Sequence, residues 1–158
     1  MADVDNTAVT EAALPAAAAF AAPWEGFRAS PYQDAAGVWT IGYGSIHDAL
    51  GNRVADHTLV ITEPEARQLL ARDMKSAAAA VAHEVRDVLT LNQAVALEDF
   101  VYNLGAGNLA SSTLLADINA GNYEAAATEF DKWDHAGGKE LAGLFRRRDA
   151  ERQRFLLQ

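Results

Sequence analysis

The chain has 158 residues, half of them apolar and 22% charged, enough for one globular domain with a full core. It holds no cysteine, which excludes a disulfide framework and a thiolate zinc site. A formal net charge of −9 argues against nonspecific nucleic-acid binding, whose affinity comes mainly from neutralising phosphates. That charge is uneven: Arg146, Arg147, Arg148, Arg152 and Arg154 face only Asp149 and Glu151 near the C-terminus, a local +3, so the remainder sums to −12. The arginines read as a solvated face with one or two ion pairs.

In chain order, residues 1–14 read as a frayed terminus with acidic residues and little apolar content. The alanine-rich run from Ala12 to Ala22 follows acidic rather than basic residues, unlike a signal peptide. It is also about half the ~20 residues a membrane span needs, so no stable membrane insertion is expected. Pro15 suits the first turn of a helix that delivers Glu25, and Pro23 predicts a kink or a restart. A small sheet follows, with strands near Tyr32, at Val38–Tyr43 and at Leu59–Ile61, and a turn at Gly51-Asn52.

Thr62 and Glu65 form a capping-box pattern that opens a long helix. Its apolar stripe runs through Ala66, Leu69, Leu70, Met74, Ala77, Ala78, Val81 and Val85. Thr90 and Gln93 repeat the pattern before a helix that is apolar almost all round and ends at Gly105, which predicts a buried central helix. Shorter helices are expected over 112–119, 123–133 and 140–157, with a glycine loop over 135–138. The architecture is α+β and mostly helical: a sheet lobe at about 25–61, a connecting helix at about 62–86 and a helical lobe at about 90–158, within one domain spanning 15–158.

The stretch Trp24–Ser45 concentrates the chemistry. Glu25 lies beside Trp24, Asp34 follows nine positions later, and Thr40 six after that. Two carboxyls in different environments plus a hydroxyl are the parts needed to hydrolyse a glycosidic bond. A general acid must keep its proton near neutral pH, which an apolar neighbour favours, while its partner must stay ionised. Each residue also has a plainer reading. Glu25 could pair with Arg28, Asp34 could be a turn residue, and Thr40 could fill a strand.

The spacing Glu25, Asp34, Thr40 within EGFRASPYQDAAGVWTIGYG resembles the phage-type lysozymes, or endolysins, of glycoside hydrolase family 24. The likeness continues through Asn92-Gln93, Phe100–Gly105, Ser112–Leu115 and Gly143–Arg148, covering roughly residues 20–158. It implies a lysozyme-like fold and cleavage, with inversion, of the β-1,4 bond between N-acetylmuramic acid and N-acetylglucosamine in peptidoglycan. Glu25 would be the acid, Asp34 would direct the water or offset positive charge on the sugar, and Thr40 would help hold the water. Tyr102, Thr113 and Glu129 fall where the family lines its saccharide groove, in a cleft between lobes. Ser45 departs from the family's usual His.

No metal or cofactor is implied. His47, Asp48, Asp56 and His57 are suitable ligand types but lack a helical His-x-x-x-His arrangement. The partner expected is the glycan strand, met by a monomer made in the cytoplasm and reaching the wall through a holin lesion, a secretion machine or lysis. A lytic transglycosylase and an inactive glycan-binding module are the competing readings.

Overall fold

The computed structural model describes residues 4–136 and 138–158. They gather into two compact units, one formed by residues 15–75 and the other by the residues up to Leu14 together with 76–158. Helix α1 (Thr7–Glu25) begins earlier than expected and carries both Pro15 and Pro23 inside it. The prolines stand on the exposed face, as do Glu11 and Ala19, whose carbonyls lose their helical partners and remain open to water. The buried face is alanine: Ala13, Ala17, Ala18, Ala21 and Ala22. Burial of that face holds the helix through the cost of its prolines.

The expected fraying of residues 1–14 does not extend past Asp5. Asn6 is 2% exposed, and its amide donates to the carbonyls of Val85 (3.1 Å) and Asp87 (2.9 Å). Its side-chain oxygen accepts the Leu89 N–H at 3.1 Å. These bonds span some eighty positions, so local composition gives no sign of them. Residues 1–3 of that terminus, and Gly137 of the expected glycine loop, lie outside the described residues.

In the unit of residues 15–75, β1 (Arg28–Gln33) and β2 (Trp39–Gly42) form an antiparallel hairpin with Tyr32 opposite Thr40 and Gln33 opposite Trp39. The third strand expected at Leu59–Ile61 does not form. One backbone bond, from Ile61 N–H to the Ala29 carbonyl (3.0 Å), approaches the sheet, while Leu59 and Val60 are exposed. The helix cap at Thr62 follows at once and takes the chain out of sheet register. Helix α2 (Glu63–Asp73) has the expected capping box: the Thr62 hydroxyl accepts the Glu65 N–H (3.3 Å) and the Glu65 carboxylate accepts the Thr62 N–H (2.7 Å). Ile41, Val54 and Leu69 form the small core, with Trp39 and Ile61 against it.

The connecting helix expected over 62–86 is two helices, α2 and α3 (Lys75–Glu84), interrupted at Met74. Met74 keeps a right-handed helical backbone (φ −82°, ψ −3°). Every residue of the predicted stripe is buried.

In the other unit, α4 (Leu91–Leu104) is the buried centre, capped by Thr90 and Gln93 and ended at Gly105 in the left-handed region (φ 94°). Around it run α5 (Ala106–Ala110), α6 (Thr113–Asn119), α7 (Tyr123–Glu129), a 3-10 turn at Phe130–Trp133, a hairpin of β3 (His135–Ala136) and β4 (Lys139–Glu140), and α8 (Ala142–Leu156). The Phe100 ring meets Phe130 and Trp133 edge-on, with centroids 5.8 and 5.6 Å away. This edge-to-face packing matches the ring quadrupoles.

Two of the α8 arginines depart from the expected solvated face, while Arg146 is exposed and Arg152 and Arg154 are half-exposed. Arg147 and Arg148 are buried: Arg147 forks onto Asp99 at 2.9 and 2.7 Å, and Arg148 bonds Glu151 at 2.6 Å. Asp99 and Glu98, consecutive on the apolar α4, are also fully buried.

Candidate active site

Glu25 is the last residue of α1, and the chain turns from it through Gly26, whose φ of 73° is reached readily only without a Cβ. Strand β1 starts two residues later. Glu25 is half-buried, as is its neighbour Trp24. Arg28 lies over the Tyr32 ring at 4.3 Å, a cation–π contact along β1.

Asp34 and Thr40 are tied together by one residue, Val38. Asp34 Oδ1 accepts the N–H groups of Ala36 (2.8 Å) and Val38 (2.9 Å), and the Asp34 N–H donates to the Val38 carbonyl (2.9 Å). The Thr40 hydroxyl donates to that same carbonyl, also at 2.9 Å. The turn therefore fixes one carboxylate oxygen and leaves Oδ2 open to a further donor. It also commits the threonine proton, so Thr40 Oγ1 can only accept from a water. The plainer reading of Asp34 as a turn residue holds. Thr40 is buried and Asp34 exposed.

Ser45 is buried, and its hydroxyl donates to Asp73 at 2.5 Å. Arg72 reaches the other oxygen of Asp73 (3.0 and 3.2 Å) and also donates to the carbonyls of His47 (2.8 Å) and Asp48. A neutral hydroxyl thus satisfies a carboxylate at the position where the resembled family has His.

Tyr102, Thr113 and Glu129 belong to the other unit. Tyr102 is half-buried against its hydrophobic cluster, Thr113 is exposed at the start of α6, and Glu129 closes α7 with an ion pair to Lys132 at 2.5 Å. Among the described residues no three His, Asp or Glu converge as a metal site requires. Asp48 is taken up by its own turn, accepting the N–H groups of Leu50 and Asn52 at 2.9 Å each.

The phage lysozyme family model matches residues 22–151, a span that contains the whole Glu25–Thr40 arrangement. The chain belongs to the phage lysozyme family. It is 38% identical over 136 residues to an endolysin of Acyrthosiphon pisum secondary endosymbiont phage 1, covering 84% of this chain and 89% of that protein. An endolysin of Salmonella phage P22 is 39% identical over 132 residues, with the same coverage. Among solved structures, a P22 lysozyme mutant superposes with a TM-score of 0.82 at 35% identity, covering 90% of this chain and 96% of that one. The muramidase domain of SpmX from Asticaccaulis excentricus gives 0.73 at 33%, covering 90% and 96%. The lysozyme-like, mostly helical fold expected from sequence is the fold observed, and family membership makes the chain a glycoside hydrolase of the lysozyme type.

Sequence reading missed the buried set Asp99, Arg147, Arg148 and Glu151. Its one visible signal was two adjacent acids, Glu98 and Asp99, inside an otherwise apolar helix. It also missed the bond from Tyr43 to Glu63 (2.8 Å), which joins the turn after β2 to α2.

Proposed function

We propose that the chain hydrolyses the β-1,4 bond between N-acetylmuramic acid and N-acetylglucosamine in peptidoglycan, using Glu25 as acid and an Asp34–Thr40 pair to hold the water. The observation that carries the assignment of roles is the shared Val38 peptide. It leaves two hydrogen-bond acceptors, Asp34 Oδ2 on the turn and Thr40 Oγ1 on β2, tied to one residue. A water whose two protons point at these acceptors turns a lone pair outward for attack on the anomeric carbon. Glu25 gives its proton to the bridging oxygen as the C–O bond breaks, and Asp34 takes the proton the water loses, so charge balances across the step. Attack opposite the leaving oxygen inverts the anomeric centre.

Tyr102, Thr113 and Glu129 are proposed to contact the saccharide. No helix among the described residues is long and apolar enough to cross a membrane. Cytoplasmic synthesis followed by release to the wall, and action as a monomer, complete the proposal.

The test is digestion of purified peptidoglycan by wild type and Glu25→Gln, with reducing ends assayed and fragments weighed. New reducing ends from wild type alone support the assignment. Fragments lighter by one water and lacking reducing ends would identify a transglycosylase, and binding without fragments a glycan-binding module.

A further inference from the structure

The turn that presents Glu25 is weakly held by its own helix. Pro23, in the last turn of α1, has no N–H to offer, and the Gly26 N–H reaches the Ala22 carbonyl only at 3.3 Å. Gly26 itself is left-handed, and no Cβ there limits the turn. A contact packed outside the helix therefore adds to what holds this turn.

Within the same unit such a contact meets this turn. Phe27 packs against Tyr43, with ring centroids 5.5 Å apart. The two rings share a shallow cavity with Ala22, Pro23, Gly26, Glu63 and Arg67. Tyr43 is nearly fully buried, and its hydroxyl donates to Glu63 at 2.8 Å. Arg67, one helical turn on, donates to the same Glu63 oxygen at 3.1 Å. The Tyr43 hydroxyl and then the Arg67 guanidinium hold the Glu63 carboxyl below its ordinary range, so the bond to Tyr43 is charge-assisted. Gly42 allows the approach that makes this reach possible: a Cβ there would stand 3.0 Å from the Ala66 Cβ on α2. Helix α2 is in turn fixed at its start by the Thr62–Glu65 box. The chain of contact runs from the capped end of α2 through Glu63 and Tyr43 to Phe27, two residues from Glu25.

We propose that Tyr43 is a positioning residue for Glu25, its ring and hydroxyl bracing the helix-to-strand turn from behind. The proposal rests on the reading of Glu25 as the acid. Tyr43 does not touch the reacting atoms; its effect passes through Phe27 and Gly26. Loss of the brace therefore lowers turnover rather than glycan affinity, because a displacement of about 1 Å in a reacting group can cost on the order of a hundredfold.

The experiment compares wild type, Tyr43→Phe, Glu63→Ala, Glu63→Gln and Glu25→Gln, recording kcat and KM separately across pH at a temperature well below every variant's Tm. Tyr43→Phe, which keeps the ring and removes the hydroxyl, is expected to lower kcat about tenfold with KM within about twofold, and to displace the pH-rate limb that Glu25→Gln abolishes. Glu63→Ala should match it, a Tyr43→Phe/Glu63→Ala double variant should lose no more than either, and Glu63→Gln should recover most of kcat by keeping an acceptor for the hydroxyl. If Glu25→Gln is inactive but Tyr43→Phe turns over like wild type with an unchanged profile, whatever its Tm, Tyr43 is purely structural and the proposal is overturned. If Glu25→Gln stays active, the reading of the acid fails, and the positioning role falls with it.

Discussion

Glu98 offers the sharpest physical test of the helical unit. Its side chain is fully buried on α4, and neither carboxyl oxygen has a hydrogen-bond partner. Burial pushes its pKa up from 4.5 to about 8. The folded state therefore holds this proton over a range where the unfolded chain has released it. Between pH 4.5 and 8 the native state binds one proton more than the unfolded state, so stability falls as pH rises, by about 1.4 kcal/mol per unit. Below 4.5 both states are protonated and above 8 both are ionised, and the contribution is flat. Glu98→Gln keeps the shape and removes the titration. Its stability relative to wild type should therefore be about 3 kcal/mol better at pH 7 than at pH 4, levelling off near 5 kcal/mol above pH 8. Urea unfolding followed by tryptophan fluorescence at pH 4, 6, 7 and 8.5 measures the difference directly. Taking it against wild type cancels other groups, including Glu151, whose carboxyl burial also raises. A difference that does not change with pH would show that Glu98 is hydrated or partnered in solution, and the reasoning would fail.

Three further outcomes follow from named contacts. Thr40→Val, which keeps the volume and removes the Oγ1 acceptor, should lower kcat on peptidoglycan by about a hundredfold, while Thr40→Ser should retain most of it. Ser45→Ala leaves Asp73 without its 2.5 Å donor and should cost about 1–2 kcal/mol, read as a fall of a few degrees in Tm by calorimetry. Arg147→Met strands the buried carboxylate of Asp99 and should cost about 3–5 kcal/mol in denaturant. Removing Asp99 as well, as Asp99→Asn, should restore part of that loss, and strictly additive losses would contradict the pairing.

Local rules carried most of the element list. Both capping boxes, the glycine stop at Gly105, the buried stripe from Ala66 to Val85 and the Asp34 turn are short-range patterns, and each appears where the pattern puts it. The errors share one cause. The ordered start depends on Asn6 reaching Val85, Asp87 and Leu89; the helix outlasts two prolines because an alanine face is buried; the third strand is reduced to a bond from Ile61 to Ala29 because a helix cap follows at once. In each case contacts distant in sequence, or competition between neighbouring elements, outweighed local preference.

The sequence by itself offered Glu25, Asp34 and Thr40 as the proposed site, through a spacing that resembles the phage lysozymes, and the helix end, tight turn and strand that carry them are written locally. Only the tertiary structure decided how those residues are held. That Tyr43 leans on Phe27, and that Arg147 and Arg148 are interior rather than solvated, depend on which faces the folded chain removes from water. Charge and hydropathy along a chain record what each side chain prefers, whereas the cost of burying a charge is set by the partners that folding places beside it.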